Sequence, residues 1–195
     1  MSVRCCLLAI LTIGPAYGFQ LHGELESRTA GRRSVNVGQI YGTLERLVKQ
    51  QAVESAGATD DGLPLYRATA IGQAEAVDWL CQTESAPGDE WNDLVDRVLI
   101  ASSLPRPHPP GIDVPRIVAR YQEWWHERAD AADLSSVGSS GQDALAAAAR
   151  GALAEAALAW LSAAAELLAA DQDDSFRRGL SDERPKRGRR PANAA

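Results

Sequence analysis

Apolar and polar positions separate cleanly between Asn36 and Gln51. Val37, Ile40, Leu44, Leu47 and Val48 recur at i, i+3, i+4 spacing, which gathers them on one stripe of a helix and predicts that this stripe is core. The opposite stripe reads Gln39, Gly42, Thr43, Arg46, Lys49 and Gln50, amides, a hydroxyl and cations with almost no apolar surface. Asn36 precedes the helix as an N-cap, and Gln39 follows three residues later at the spacing of a capping box. The start of the helix is thereby fixed, and its positive dipole end is open to a phosphate or a base edge.

The same reading predicts a helix from about Val3 to Ile13, stopped by Gly14-Pro15, and another from about Phe19 to Thr29, separated from the third by Gly31-Arg32-Arg33-Ser34. Ala52 to Ser55 and Leu65 to Ala68 are short extended segments around the turn-rich Gly57 to Gly62, which predicts a β-hairpin. Thr69 is placed to cap a fourth helix through Ile71, Ala74 and Leu80. Three helices and a hairpin make a winged helix-turn-helix over residues 1–85.

Composition shifts at Ser85-Ala86-Pro87-Gly88, where a second, helical region is expected over 89–170. Trp91, Leu94, Val95, Val98 and Leu99 form one stripe; Ile117, Tyr121, Trp124, Trp125 and Arg128 form another, opened by Asp113 and Pro115. After a Ser/Gly loop at 134–141, an Ala-rich helix from about Asp143 to Ala170 carries Leu153, Ala157, Trp160, Ala164, Leu167 and Leu168 on one side. With little chain to cover them, these stripes predict pairing with a second subunit. The whole is mainly α with a small β-hairpin, a winged helix-turn-helix followed by a helical dimerisation region. Residues 171–195 read as a disordered, basic tail.

Charge and cysteine content narrow the compartment and the partners. A net charge of −6 excludes a protein that coats nucleic acid with its whole surface, but leaves room for a local basic face. Cys5, Cys6 and Cys81 include no C-x-x-C pair, which suits a reducing, cytoplasmic setting. The apolar N-terminus is short and lacks a small-x-small cleavage pattern, so it reads as a buried helix. Arg150, Glu155 and Glu166 interrupt the Ala-rich stretch, so no membrane span is expected. His22, His108 and His126 are scattered, with no metal-ligand spacing, and nucleotide loops and nucleophile elbows are absent. Neither an enzyme nor a cofactor is implied.

With these residues in place, the N-terminal part resembles the PadR family of bacterial transcriptional regulators. The resemblance rests on Met1-Ser2-Val3-Arg4, Leu7-Leu8, Gly14-Pro15-Ala16-Tyr17-Gly18-Phe19-Gln20-Leu21, Val35-Asn36-Val37-Gly38-Gln39-Ile40-Tyr41, Thr43-Leu44 with Arg46-Leu47, and Tyr66 through Gly72. Ala159-Trp160-Leu161 is similar to the last helix of that family's Vir-type dimerisation region. The resemblance implies a homodimer, usually a repressor, that places two third helices in successive major grooves about 34 Å apart. Two departures stand out: Gly42 where larger side chains are common, and an acidic wing tip, Asp60-Asp61, that leaves Arg67 as the hairpin's cation.

The expected contacts to double-stranded DNA are Asn36, Gln39, Tyr41, Gly42, Thr43, Arg46, Lys49 and Arg67. Arg46 suits a guanine edge or a phosphate, and Gln39 an adenine edge or a phosphate. Tyr41 can pack beneath helix two or reach a phosphate; Lys49, with Arg32 and Arg33, adds diffuse positive charge. Trp91, Trp124, Trp125 and Trp160 are candidates for an aromatic effector pocket, since some relatives bind flat phenolic compounds, or else interface core. The tail segment Arg184-Pro185-Lys186-Arg187-Gly188-Arg189-Arg190-Pro191 offers electrostatic help on DNA or serves as a solubilising extension. The alternative to a regulator is a winged-helix protein-interaction module without DNA binding.

Overall fold

The computed structural model describes residues 2–136 and 140–182. Element order is α1 (Ser2–Leu11), β1 (Ala16–Tyr17), α2 (Gly18–Arg28), α3 (Val37–Lys49), β2 (Val53–Ala58), β3 (Pro64–Ala68), α4 (Ala70–Cys81), α5 (Glu90–Ser103), α6 (Val114–Ser136) and α7 (Gln142–Ala170). The fold is mainly helical with a small antiparallel sheet, as the periodicity predicts. That sheet has three strands in the order β1-β3-β2, with Ala16 opposite Tyr66 and Val53 opposite Ala68. Strand β1 escapes the sequence pattern because two residues carry no periodicity.

A core of side chains from α1, α2, α3 and α4 holds the winged domain together; Leu7, Leu8, Ile10, Leu21, Leu25, Ile40, Leu44, Leu47 and Leu80 are all fully enclosed. Thr69 caps α4 through Gly72 N–H at 3.2 Å and ties to the hairpin through Gln51 O. Gly72 presses so closely on the start of the wing that a Cβ there would stand 2.0 Å from Ala52 O. Helix α5 continues this core, with Leu94, Val98, Ile100 and Leu104 in the same cluster.

Two buried arginines lock α5 to its neighbours. Arg97 donates to Gln82 O (2.9 Å), Glu84 O (3.0 Å) and the Tyr121 hydroxyl (2.6 Å), and its guanidinium lies over the Trp79 ring. Burial pushes the Tyr121 pKa up to about 12, against the opposing pull of Arg97. Arg28 donates to Glu24 (2.7 Å), to Ser103 O and Oγ, and to the carbonyls of Arg178 and Gly179.

That last pair of bonds corrects the expectation of a disordered chain from residue 171. Residues 178–181 pack along α2, with Ser181 N–H donating to Glu24 and Gln20 donating to Ser181 O. The sequence hid this because Arg28 reads there as an ordinary polar residue at a helix end. Residues 183–195, including the basic segment Arg184 to Arg190, lie outside the described residues.

Helices α6 and α7 form an antiparallel pair. Within the chain the buried stripe of α7 is Ala147, Ala154, Ala157 and Leu161, while Leu153 and Leu167, on the stripe expected to meet a second subunit, are exposed. Small side chains let α6 approach closely, and the leucines are left facing out. By length and composition Gln142–Ala170 is also apolar enough to cross a membrane, although Arg150, Glu155 and Glu166 fall along it. Its companion α6 carries Arg116, Arg120, Glu127, Arg128, Asp130 and Asp133.

Candidate nucleic-acid interface

Helix α3 begins with the capping box that its sequence predicts. Asn36 Oδ1 accepts from Gln39 N–H at 2.8 Å, and Gln39 Oε1 accepts from Asn36 N–H at 3.2 Å. Both residues are exposed, so the ordered helix start faces solvent. Ile40, Leu44 and Leu47 are buried beneath it. Val48, expected in that stripe, is instead exposed, because it lies at the edge of the buried arc.

The outward face carries Gln39, Glu45, Arg46, Lys49 and Gln50. Thr43 is not on it. Only 6% exposed, its hydroxyl donates to Gln39 O (2.7 Å) and accepts from Arg46 Nη2 (3.0 Å). Thr43 therefore does not present itself to a ligand; it orients Arg46, which is exposed. Gly42 is half-buried, and Arg46 Nη1 lies 3.9 Å from where its Cβ would be. A methyl at 42 would be in ordinary contact with the arginine.

Tyr41 packs on α2. Its ring lies over Gly18, where a Cβ would come within 2.5 Å of Tyr41 Cε1. Gly18 thus belongs to the site's scaffold, which sequence reasoning missed; its place in the Tyr17-Gly18-Phe19 motif was the available signal. A further brace is the 2.7 Å bond between the His22 ring and Val35 O, which holds the turn before α3.

The cations around the helix are mostly engaged elsewhere. Arg67, the expected wing contact, pairs with Glu54 across the hairpin at 2.7 Å. Arg33 binds the buried Asp96 at 2.6 Å and Arg32 reaches Asn92 at 3.1 Å, so both serve α5 rather than supply diffuse charge. Arg4 is held by Glu75 and Gln50. At the wing tip, Thr59 bonds Asp61 and caps the turn at Leu63.

The four tryptophans form two pairs in the helical region. Trp91 meets Trp160 edge-on with centroids 5.7 Å apart, and Trp124 meets Trp125 at 4.9 Å, with the Arg128 guanidinium over Trp124. Trp125 lines a cavity of about 370 Å³ with Glu90, Arg128, Arg150 and Leu153. A larger cavity of about 560 Å³, between the Pro-rich loop, α6 and the end of α7, has none of them. Burial raises the Cys6 thiol well above its ordinary range and raises that of Cys5, where Arg4 pulls the other way. Among the described residues no group of three or more His, Cys, Asp or Glu could hold a metal ion.

A capped third helix turned outward from a three-helix core, beside a short hairpin, defines a winged helix-turn-helix protein with an appended helical hairpin. The model of the transcriptional regulator PadR-like family matches residues 7–78 of this chain. No curated protein matches the chain. Among solved structures it is similar to Bacillus subtilis PadR in complex with operator DNA, at 15% identity over 84% of this chain and 98% of that one, with a TM-score of 0.41. It is also similar to the same protein with p-coumaric acid (17% identity, 86% and 98% covered, TM-score 0.38) and to a PadR-like regulator from Bacillus cereus (15%, 88% and 100%, TM-score 0.35).

Proposed function

We propose that the protein is a cytoplasmic, homodimeric transcriptional regulator, a repressor, whose α3 reads double-stranded DNA. The observation that carries this is the outward face of α3, with Arg46 set by Thr43 and the capped helix start beside it. Arg46 is the reader of a guanine edge, where a bidentate contact discriminates by about 1–3 kcal/mol. Gln39 keeps its Nε2 amino group for a base or phosphate, and the exposed Lys49 adds a phosphate contact. The exposed leucines of α7 support a second copy as its covering partner, because the charged α6 beside it suits water rather than lipid. The cavity at Trp125, whose buried indole Nε1 makes no hydrogen bond among the described residues, supports a small aromatic effector as its occupant.

The test is selection of binding sites from a random-sequence duplex pool, followed by titration at two salt concentrations. A selected inverted repeat bound with steep salt dependence supports the reading. A second reading, a winged-helix module that docks a protein, is favoured by the acidic wing and its neutralised Arg67. Failure to enrich any sequence would decide for it.

A further inference from the structure

The cavity of about 560 Å³ between the Pro-rich loop, α6 and the end of α7 has the size of a small-molecule site. Its lining divides by chemistry. Ile112 from the loop, Val114 and Val118 from α6, and Ala165 and Leu168 from α7 give it an aliphatic wall. No Phe, Tyr or Trp lines it among the described residues. Arg106, His108 and Arg177 supply basic groups, with Asp113 and Gln122 as the other polar side chains.

Two of these basic groups are buried with hydrogen-bonding capacity unused. Arg177 Nε and His108 Nδ1 are closed off from water and make no hydrogen bond among the described residues. An unmet buried polar group is costly, so a ligand oxygen that reaches both gains more there than it gives up in water. Arg177 is held in place by its other nitrogen. Nη1 donates to Asp171 at 3.4 Å and to Asp174, and the next residue, Arg178, is fixed by Ser103 O and by Arg28. Burial first, then Arg177 and Arg106, hold the His108 pKa below its ordinary value, with Asp113 opposing them. The field at the imidazole is therefore net positive, even though Asp174 also lies 4.0 Å from Arg106. Asp113 is turned to its own helix, where it accepts from Arg116 N–H at 3.2 Å.

We propose that this cavity binds a small aliphatic carboxylate, whose oxygens accept from Arg177 Nε–H and His108 Nδ1–H and whose alkyl chain lies on Ile112, Val118 and Leu168. A guanidinium edge gives a carboxylate a directional, charge-assisted bond. Each methylene buried on the aliphatic wall multiplies affinity by about four. A lining without aromatic rings favours a chain over a flat ring and separates this site from the cavity at Trp125. The ligand joins segments far apart in sequence: the Pro-rich loop, the α6–α7 pair and the stretch after α7, which runs on to α2 through Arg28 and Glu24. The inference goes beyond the DNA-binding reading and does not depend on it.

The experiment is calorimetric titration of the full chain with octanoate, octanamide and butanoate in detergent-free buffer near neutral pH. Octanoate is expected to bind at one site per chain. Octanamide should bind roughly fivefold more weakly or worse, since it keeps the chain but loses the charge, and butanoate more than about tenfold more weakly. No binding of octanoate at millimolar concentration overturns the proposal. Equal affinity for octanamide overturns recognition of the carboxylate, and equal affinity for butanoate overturns the aliphatic wall. Three variants locate the site. Ala165→Phe fills the cavity and should abolish binding. His108→Phe keeps a ring of similar size without Nδ1, and Arg177→Lys keeps the charge without Nε; each should lose roughly tenfold. Thermal melting shows which variants fold as the unaltered chain does. If either helix-end or strap variant melts early, His108→Phe, at a half-buried loop position, decides alone. Unchanged octanoate affinity in a folded Ala165→Phe or in His108→Phe overturns the site while leaving the DNA reading intact.

Discussion

Arg46 donates to the hydroxyl of Thr43 at 3.0 Å, one turn back along α3, and Thr43 is itself buried. A flexible side chain at the centre of the outward face is thereby restrained before any ligand arrives. Thr43→Val keeps the shape but removes the acceptor, so Arg46 must be ordered on binding. We expect a loss of about 0.5–1.5 kcal/mol in duplex affinity, close to one ordinary hydrogen bond, with unchanged thermal stability to within about 1 kcal/mol. Fluorescence anisotropy and thermal melting check the two halves of this expectation.

Two glycines in helices should respond in opposite directions to alanine. Gly72→Ala places a methyl 2.0 Å from Ala52 O, a backbone atom that cannot swing aside. Its cost of about 1–3 kcal/mol outweighs the roughly 1 kcal/mol gained in helix propensity. Gly23 is exposed on α2 with nothing within 4 Å, so Gly23→Ala should stabilise by about 0.5–1 kcal/mol. Chemical denaturation of both variants settles the signs.

Much of the winged domain was legible because its signals are local: the α3 stripe, the Asn36/Gln39 box, the Thr69 cap and the turn-rich hairpin each lie within a few residues. Pairings across the chain were not. Arg28, Arg97 and Arg33 have the polarity of surface residues, and only folding brings Ser103, Gly179, Tyr121 and Asp96 against them. The same limit misplaced Thr43 by one edge of the helix, and the alanines of α7 that face α6 gave no signal, because a run of alanines has no periodic contrast. Gln39, Arg46 and Lys49 are exposed on α3, on the stripe where their spacing puts them, whereas the pairing of Arg67 with Glu54 needed the strand register.

The burial of Tyr121, which outweighs the opposing pull of Arg97, carries a pH signature. Tyr121 has a pKa near 12 in the folded chain, above the value of about 10 of a free phenol. A raised acid pKa means that the folded state holds its proton longer, so this contribution is complete below pH about 10 and is lost as pH rises toward 12. The loss amounts to roughly 2–3 kcal/mol, from about 1.4 kcal/mol per unit. Tyr121→Phe should flatten that part of the stability profile and lower stability at neutral pH by about 1–3 kcal/mol, as expected for a bond to a charged donor. Urea titrations between pH 7 and 11.5 measure both.

Leu153 and Leu167 remain exposed on α7 while the alanines face α6. Under the dimer reading, Leu153→Glu with Leu167→Glu should shift the protein from dimer to monomer and leave its helical content unchanged. Sedimentation equilibrium in detergent-free buffer gives the mass directly; a monomer already present in the unaltered chain at every concentration would remove the reading of α7 as a subunit interface.

The most direct measurement is anisotropy titration of a selected duplex with the unaltered chain, Arg46→Ala and Arg67→Ala. The account predicts that Arg46→Ala weakens specific binding by about 1–3 kcal/mol, roughly 5- to 150-fold, and relaxes the preference at one base pair of each half-site. Arg67→Ala, already paired with Glu54, should change affinity by less than about threefold. Full affinity and selectivity in Arg46→Ala, or a larger loss from Arg67→Ala than from Arg46→Ala, would contradict the placement of α3 as the reader.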